Sequence, residues 1–406
     1  MRSSSVHPCL RLGPPGSPNL SAGPPAASLV VPRRKSIPVN VGGVVIGGAA
    51  PIAVQTMTKT DTRDVKATLR QIHELKESGC EIVRPAVPDR EAAEALKEIV
   101  KGSPLPVIAD IHYDHTLALM AIEAGVHCLR LNPGNIPDRD KVVRVVTAAK
   151  ERQIPFRIGV NAGSLPEEVH KSMREQHQVN RDDRERTADR MVEVALGHCK
   201  ILEDLDYGPG FVKVSLKATD VWTNVMANRK FAAARPYPIH LGVTESGPVQ
   251  AGSIRSAVGL GILLAEGIGD TIRVSLATSD PREEVRVAHE VLKTLAFRNE
   301  SPTLVACPTC GRLEYDMVPT VKAVESHIAA LKVPITVAVM GCVVNGPAEA
   351  RHADIGVTGG RGKGVIFKRG KLYRTVPQEE LLTVLLAEID AIAAEHAPAP
   401  ATPLPT

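Results

Sequence analysis

Three cysteines late in the chain could do chemistry together. Cys307 and Cys310 stand in a Cys-Pro-Thr-Cys-Gly-Arg run, and Cys342 follows after a 31-residue spacer in Met340-Gly-Cys-Val-Val-Asn345. A Cys-x-x-Cys turn aims two thiolates at one centre, and a third can arrive from a following strand end. A cubane iron–sulfur cluster takes three such thiolates and leaves its fourth iron to another ligand. A structural zinc site fits the same spacing, with His352 available as a fourth ligand. A thioredoxin-like redox pair is a third reading, against which the third cysteine argues. Seven cysteines in 406 residues are too few for a disulfide scaffold. Cys80, Cys128 and Cys199 have no neighbours in sequence and read as small core residues.

A second set of candidates is basic. Arg84, Arg130, Arg157, Lys213 and Arg273 each fall in or at the end of a short apolar run, with Lys217 just beyond one of them. Asp110 and Glu245 are the acids near these runs. A single strand-end arginine reads as an ion pair or a solvated rim charge. Five cations exceed what two acids can neutralise, and a buried unpaired charge costs several kcal/mol or more. They predict a polyanionic ligand, most simply one with two phosphate groups, gripped by guanidinium forks. Asp110, His112, Asn132, Asn161, Ser215, His240, Thr244, Glu245 and Ser275 lie at or near the ends of the same runs.

The elements that must position these residues alternate regularly. Apolar, β-branched runs occur at Ile52–Gln55, Glu81–Ala86, Pro106–Asp110, His127–Leu131, Phe156–Val160, Phe211–Leu216, Ile239–Val243 and Thr271–Leu276. Helical patterns follow, among them Val65–Ser78, Arg90–Val100, Asp182–Asp204, Ala251–Ala265 and Arg282–Thr294. Eight strand–helix units in this length predict an α/β fold, a TIM (β/α)8 barrel, whose chemistry sits at the C-terminal ends of its strands. A doubly wound sheet is disfavoured because no GxGxxG follows the first strand. The cysteines then belong to a smaller α+β domain with a strand at Ile335–Met340. The stretch Gly356–Gly364, GVTGGRGKG, lacks the spacing of a phosphate loop and reads as a hairpin tip. The expected divisions are a basic, Pro-rich extension over 1–36, a barrel over 37–297, a cysteine-bearing domain over 303–396 and a Pro-rich tail over 397–406.

Composition excludes other classes. Net charge is +4, and 11 residues in 406 are aromatic, too few for a base-stacking platform, so no nucleic-acid partner is expected. No apolar run reaches the ~20 residues of a membrane span, and no secretory leader is evident, so no membrane partner is expected either.

Several blocks in order carry a family resemblance: PIAVQTMT, ADIHYD, LRLNPGNI, RIGVNAGS, HLGVTESG, GIGDTIRVSL, CPTCGR and VAVMGCVVNGP. Across Asn40 to Lys371 the sequence resembles the bacterial 4-hydroxy-3-methylbut-2-enyl diphosphate synthase family. The resemblance implies a barrel binding 2-C-methyl-D-erythritol 2,4-cyclodiphosphate and a second domain with a [4Fe-4S] cluster. By motif its ligands would be Cys307, Cys310, Cys342 and Glu349; Ala348 replaces the glycine that usually precedes this glutamate. Arg84, Arg130, Arg157, Lys213 and Arg273 would bind the diphosphate, joined by Asn132, Asn161, Ser215, His240 and Ser275. Glu245 would donate a proton to the departing hydroxyl, with Arg130 assisting electrostatically. The family further implies flavodoxin or ferredoxin as electron donor, a homodimer, and a cytoplasmic location. The short segment between Thr294 and Cys307 matches the two-domain bacterial arrangement.

Overall fold

Two glycines open the first element. The computed structural model describes residues 32–165, 181–342, 346–360 and 362–396, with the side chain of Glu349 outside that description. Gly42 and Gly43 join β1 (Val39–Val41) to antiparallel β2 (Val44–Ile46), and their φ angles of 57° and 95° suit the tight turn of a two-residue hairpin. This hairpin was not foreseen, although Gly-Gly between two β-branched triplets is its sequence signal. Val39, Val41 and Ile46 are fully buried against Ala53, Ile82, Ile108 and Cys128. Those four residues come from the first strands of the barrel, so the hairpin is an apolar plug across its base.

The barrel follows as eight strand–helix units. They are β3 (Ala53–Met57) and α1 (Val65–Glu77), β4 (Ile82–Arg84) and α2 (Arg90–Gly102), β5 (Ile108–Asp110) and α3 (His115–Glu123), and β6 (Cys128–Arg130) and α4 (Arg139–Glu151). The second half has β7 (Phe156–Asn161) and α5 (Arg181–Glu203), β8 (Val212–Lys217) and α6 (Val221–Ala234), β9 (His240–Leu241) and α7 (Val249–Ala265), and β10 (Thr271–Ile272) and α8 (Pro281–Thr294). Parallel pairings give two four-stranded arcs, β9-β10-β3-β4 and β5-β6-β7-β8. Bridges Val83↔Val107 and Val214↔Ile239 close them into the expected TIM barrel. β9 and β10 are shorter than their apolar runs. A side chain at Gly242, just past β9, would meet the Arg273 carbonyl at 2.6 Å, so the close approach of the two chains there calls for glycine.

At the mouth, Asp64, Asp89, Asp114, Asp138, Asp220 and Asp280 each cap the helix that follows, accepting a backbone N–H. Such caps contribute about 1 kcal/mol each and fix where each loop ends.

Composition places Arg33 to Ser36 in the N-terminal extension. Residues 1–31 and 397–406 lie outside the described residues, but Arg33 to Ser36 pack on the barrel. Buried Asp270 accepts from Arg33 Nη2 and from the Ser36 hydroxyl, both at 2.8 Å, and from the Ile239 N–H at 2.8 Å. A buried carboxylate needs such partners, and the basic residues that composition assigns to an extension supply them.

The linker to the second domain is also tied to the base. Arg298 Nη2 donates to the Ile52 carbonyl at 2.9 Å and pairs with Glu81 at 2.8 Å, both residues lying before strand starts. Lys293 Nζ holds the Pro302 carbonyl at 3.0 Å. The second domain then has a sheet in the order β11 (Thr303–Ala306), β12 (Thr336–Met340), β13 (Ile355–Gly360), β14 (Lys363–Lys368), β15 (Lys371–Pro377). The first three strands are parallel and the last three antiparallel. Helices α9 (Met317–Ile328) and α11 (Leu381–His396) share its core, and the short α10 (Gly346–Glu349) follows β12. β13 and β14 form the hairpin expected for the GVTGGRGKG stretch, with Gly360 opposite Lys363. Among the described residues no helix is long and apolar enough to cross a membrane.

Candidate active site at the barrel mouth

Strand register gathers the predicted cations. Asp110, Arg130, Arg157 and Lys213 are successive partners across β5, β6, β7 and β8, so one row of the barrel interior reads acid, base, base, base. Arg84 enters beside them from β4, its Nε 3.6 Å from Asp110 Oδ2, while Arg130 Nε lies 3.5 Å from Oδ1. Burial opposes the charge on Asp110, but Arg84, Arg130 and Arg157 outweigh it and hold its carboxyl below the usual range. Arg273 completes the ring 3.7 Å from Glu284, a fully buried acid on α8 that also pairs with Lys59 at 3.3 Å.

Six cations, counting Lys217, thus face two buried carboxylates among the described residues. Arg157 Nε and Nη1, Lys213 Nζ and Arg273 Nε are buried without a hydrogen-bond partner. Burial, and then neighbouring guanidinium groups, push the pKa of Arg157 well below its ordinary value. Lys213 is pushed down to about 8 by burial first, with Arg157 and Arg84 adding to it. Native interiors rarely leave charged donors unmade. The chemistry such a cavity can do is to bind a compact polyanion from several sides.

The predicted polar residues are distributed unevenly. Asn132 and the Gly159 backbone exchange two hydrogen bonds of 2.8 Å, and Arg130 Nη2 donates to the same Gly159 carbonyl at 3.2 Å. His240 is fully buried, its Nε2 3.1 Å from Lys217 Nζ and its Nδ1 unpartnered; burial and then Lys217 drive its pKa well down. Ser215 is buried two residues beyond Lys213, opposite Gly159, and half-buried Asn161 pairs with Lys217. Ser275 is half-buried, its carbonyl accepting from the Ser246 hydroxyl. Glu245 lies exposed on the rim with φ 54°, and its Oε2 accepts from the Thr219 hydroxyl at 3.2 Å. The acid that joins Asp110 beside the cations is therefore Glu284, not Glu245. Sequence missed it because a helix residue carries no strand-end signal. Lys217, noted only as lying beyond a run, is as buried as the rest.

Gly159 is a glycine for a visible reason. A Cβ there would sit 3.0 Å from Arg130 Nε and 3.3 Å from the Ser215 hydroxyl. Gly159→Ala is expected to displace the Arg130 guanidinium and weaken pyrophosphate binding about tenfold, while costing about 1–3 kcal/mol of stability. Calorimetric titration and urea denaturation measure the two; unchanged affinity would mean Arg130 does not grip the anion.

In the second domain the three predicted thiols share one end of the sheet. Cys307 follows β11, its backbone N–H donating to the Val339 carbonyl of β12 at 3.0 Å, and buried Cys342 follows β12 itself. Cys310 is exposed on the intervening turn, where Thr309 adopts φ 52° and the Leu313 N–H folds back to the Cys310 carbonyl at 3.1 Å. Hydrogen bonds from Arg312, backbone and side chain, hold the Cys310 thiol below its ordinary pKa, and the Arg312 charge reaches Cys307 and Cys342 as well. Among the described residues no three His, Cys, Asp or Glu side chains are close enough to hold a single metal ion. A cubane spreads its ligands over several irons and asks for a wider ring of thiolates, which three free cysteines around one guanidinium fit. The Glu349 side chain lies outside the described residues, and His352 is exposed.

Fold and site together define a class: an α/β barrel built to hold a small polyanion, joined to a domain that carries three thiols at one end of its sheet. The chain belongs to the GcpE family; residues 36–289 match the GcpE TIM-barrel domain and residues 303–391 the GcpE protein C-terminal domain. It is 53% identical over 363 residues to a Geobacter sulfurreducens protein, covering 89% of this chain and 99% of that one. A Dehalococcoides mccartyi protein is 51% identical, covering 89% of this chain and all of the relative. A Geobacillus kaustophilus protein is also 51% identical, covering 90% of this chain and 95% of its own length. All three carry the name 4-hydroxy-3-methylbut-2-en-1-yl diphosphate synthase (flavodoxin).

Proposed function

We propose that this chain is an oxidoreductase that opens the ring of 2-C-methyl-D-erythritol 2,4-cyclodiphosphate. Two electrons and loss of water yield 4-hydroxy-3-methylbut-2-enyl diphosphate, an isoprenoid precursor. The observation that carries the reading is the row Arg130, Arg157 and Lys213, with Arg84, Lys217 and Arg273 around it and two buried carboxylates against them. A cyclic diphosphate is compact, doubly anionic and bears hydroxyls for Asn161, Ser215 and Ser275.

Cys307, Cys310 and Cys342, with Glu349, would hold a [4Fe-4S] cluster. When bound, that cluster supplies single electrons and a Lewis-acidic iron. This chain's own residues do the rest. The buried cations neutralise the diphosphate and fix its orientation, and the apolar plug at the base keeps water from entering beneath it. Asn132 and Gly159 lock the Arg130 guanidinium toward the cavity. Glu245, steered by Thr219, stands at the rim as proton donor to the departing hydroxyl.

Electrons would come from flavodoxin, which the relatives' names include, or from a ferredoxin of similar role. A homodimer is supported by the linker. Arg298 and Lys293 hold it at the barrel base as far as Pro302, so the second domain begins at the end of the barrel opposite the mouth. A second copy brings its thiol domain to the mouth more simply. Unpaired cysteines suit the reducing cytoplasm.

The test is anaerobic turnover of the cyclic diphosphate by cluster-reconstituted protein with a one-electron reductant. The allylic diphosphate should appear only with reductant. Glu245→Gln should lose about 10²–10⁴-fold in kcat while still binding pyrophosphate. Absence of product from protein holding four irons would overturn the assignment.

A further inference from the structure

We propose that His112 is a further ligand-contacting residue, a neutral imidazole that donates a hydrogen bond from Nε2 to the anion bound in the mouth. The inference rests on reading the mouth as a diphosphate site. His112 lies two residues beyond β5, on the rim, with its side chain 59% exposed. Its Nδ1 is 2.7 Å from Arg130 Nη1. A guanidinium has no lone pair to offer and only donates, so Nδ1 must be the acceptor and carries no proton. The ring proton of the neutral form is then on Nε2.

Among the described residues no hydrogen bond is made by that N–H. Asp110 Oδ1 lies 3.8 Å away, beyond hydrogen-bond range and already facing Arg130. The charged groups facing the ring are Asp110 from β5, Arg130 from β6, Arg84 from β4 and Arg157 from β7. Burial first, then Arg130 with Arg84 and Arg157, hold its pKa below the ordinary value against the opposing pull of Asp110. The ring therefore meets its ligand uncharged. It adds a directed donor to a site already crowded with positive charge, without adding to the repulsion among Arg84, Arg130 and Arg157.

Two substitutions separate this role from simple support of Arg130. His112→Asn keeps an acceptor where Nδ1 stands and removes the Nε2 donor; His112→Gln keeps an amide donor near Nε2 and removes the Nδ1 acceptor. Calorimetric titration of the full chain with inorganic pyrophosphate at pH 7.5 should show about tenfold weaker binding for His112→Asn and at most about threefold for His112→Gln. The reverse order, equal losses, or two silent variants would overturn the proposal while leaving the anion site standing. Failure of the parent protein to bind pyrophosphate would overturn both. Independently, the ¹⁵N ring resonances lost in His112→Asn should report a proton on Nε2 and none on Nδ1 at pH 7.5; the opposite tautomer would refute the assignment.

Discussion

A Lys213→Met protein is expected to be more stable than its parent at pH 7 and to bind pyrophosphate about 10–100-fold more weakly. Lys213 is fully buried and its ammonium has no hydrogen-bond partner. Methionine keeps the length of the side chain and removes the charge, and such replacements of uncompensated buried ions typically stabilise by about 1–4 kcal/mol. The pH dependence carries a definite sign. In the unfolded chain a lysine titrates near its model value of 10.5, whereas in the fold burial and the neighbouring guanidinium groups bring Lys213 down to about 8. Below pH 8 both states hold the proton and the folded state bears the whole penalty. Between pH 8 and the unfolded value the unfolded state binds more protons, so stability rises with pH, by roughly 3 kcal/mol across the window. Lys213→Met should lack this rise. Urea denaturation at pH 7 and pH 9.5 measures it. A variant less stable than its parent at pH 7 would mean that the ammonium has a compensating partner in the empty barrel. The binding loss follows from the same feature, because a hydrogen bond to a charged group contributes about 1.5–3 kcal/mol.

Replacement of Cys342 by alanine is expected to abolish turnover and iron binding together. Cys342 is buried at the end of β12, and Cys307 is fixed to the same strand through Val339, so these two thiols are set by the sheet while Cys310 rides on a turn. Removing a ligand that the sheet positions leaves no mobile group to take its place. Anaerobic iron and sulfide analysis should fall from four irons per chain to below one, with turnover at the level of the reductant alone. Cys199→Ala, on α5 within the barrel's helical layer, should retain iron and activity. Four irons in Cys342→Ala would remove Cys342 from the ligand set, and stoichiometric zinc in the parent protein would restore the zinc reading of the same thiols.

What the sequence made legible divides along physical lines. The eight strands could be read because residues buried on both faces leave dense β-branched runs, and helices such as α1 and α8 because their apolar stripe recurs at helical spacing. The ends of β9 and β10 could not, since they depend on contacts between distant residues such as the close approach of Gly242 to Arg273. The cationic ring was legible because arginine inside an apolar run contradicts its surroundings. Of its counter-charges Asp110 was legible at a strand end, and Glu284 was not: it reaches the ring from a helix, where an acid in the first turn is ordinary. Composition registers Arg33 and Arg34 as part of a basic, Pro-rich stretch and cannot register that Asp270 waits for them across the sequence. Glu245 was read from a motif, and its exposed place on the rim belongs to a loop geometry that no periodicity encodes.

The plug made by Val39, Val41 and Ile46 turns the barrel into a cul-de-sac. Whatever enters past the rim must leave by the same door, and a diphosphate product keeps the very group that the ring of cations grips. Departure is then a contest with the next arrival for one passage and one set of charges. The cost of holding a substrate firmly is returned at the end of each cycle as slow release, and the six cations that make capture efficient also set the pace at which the vessel empties.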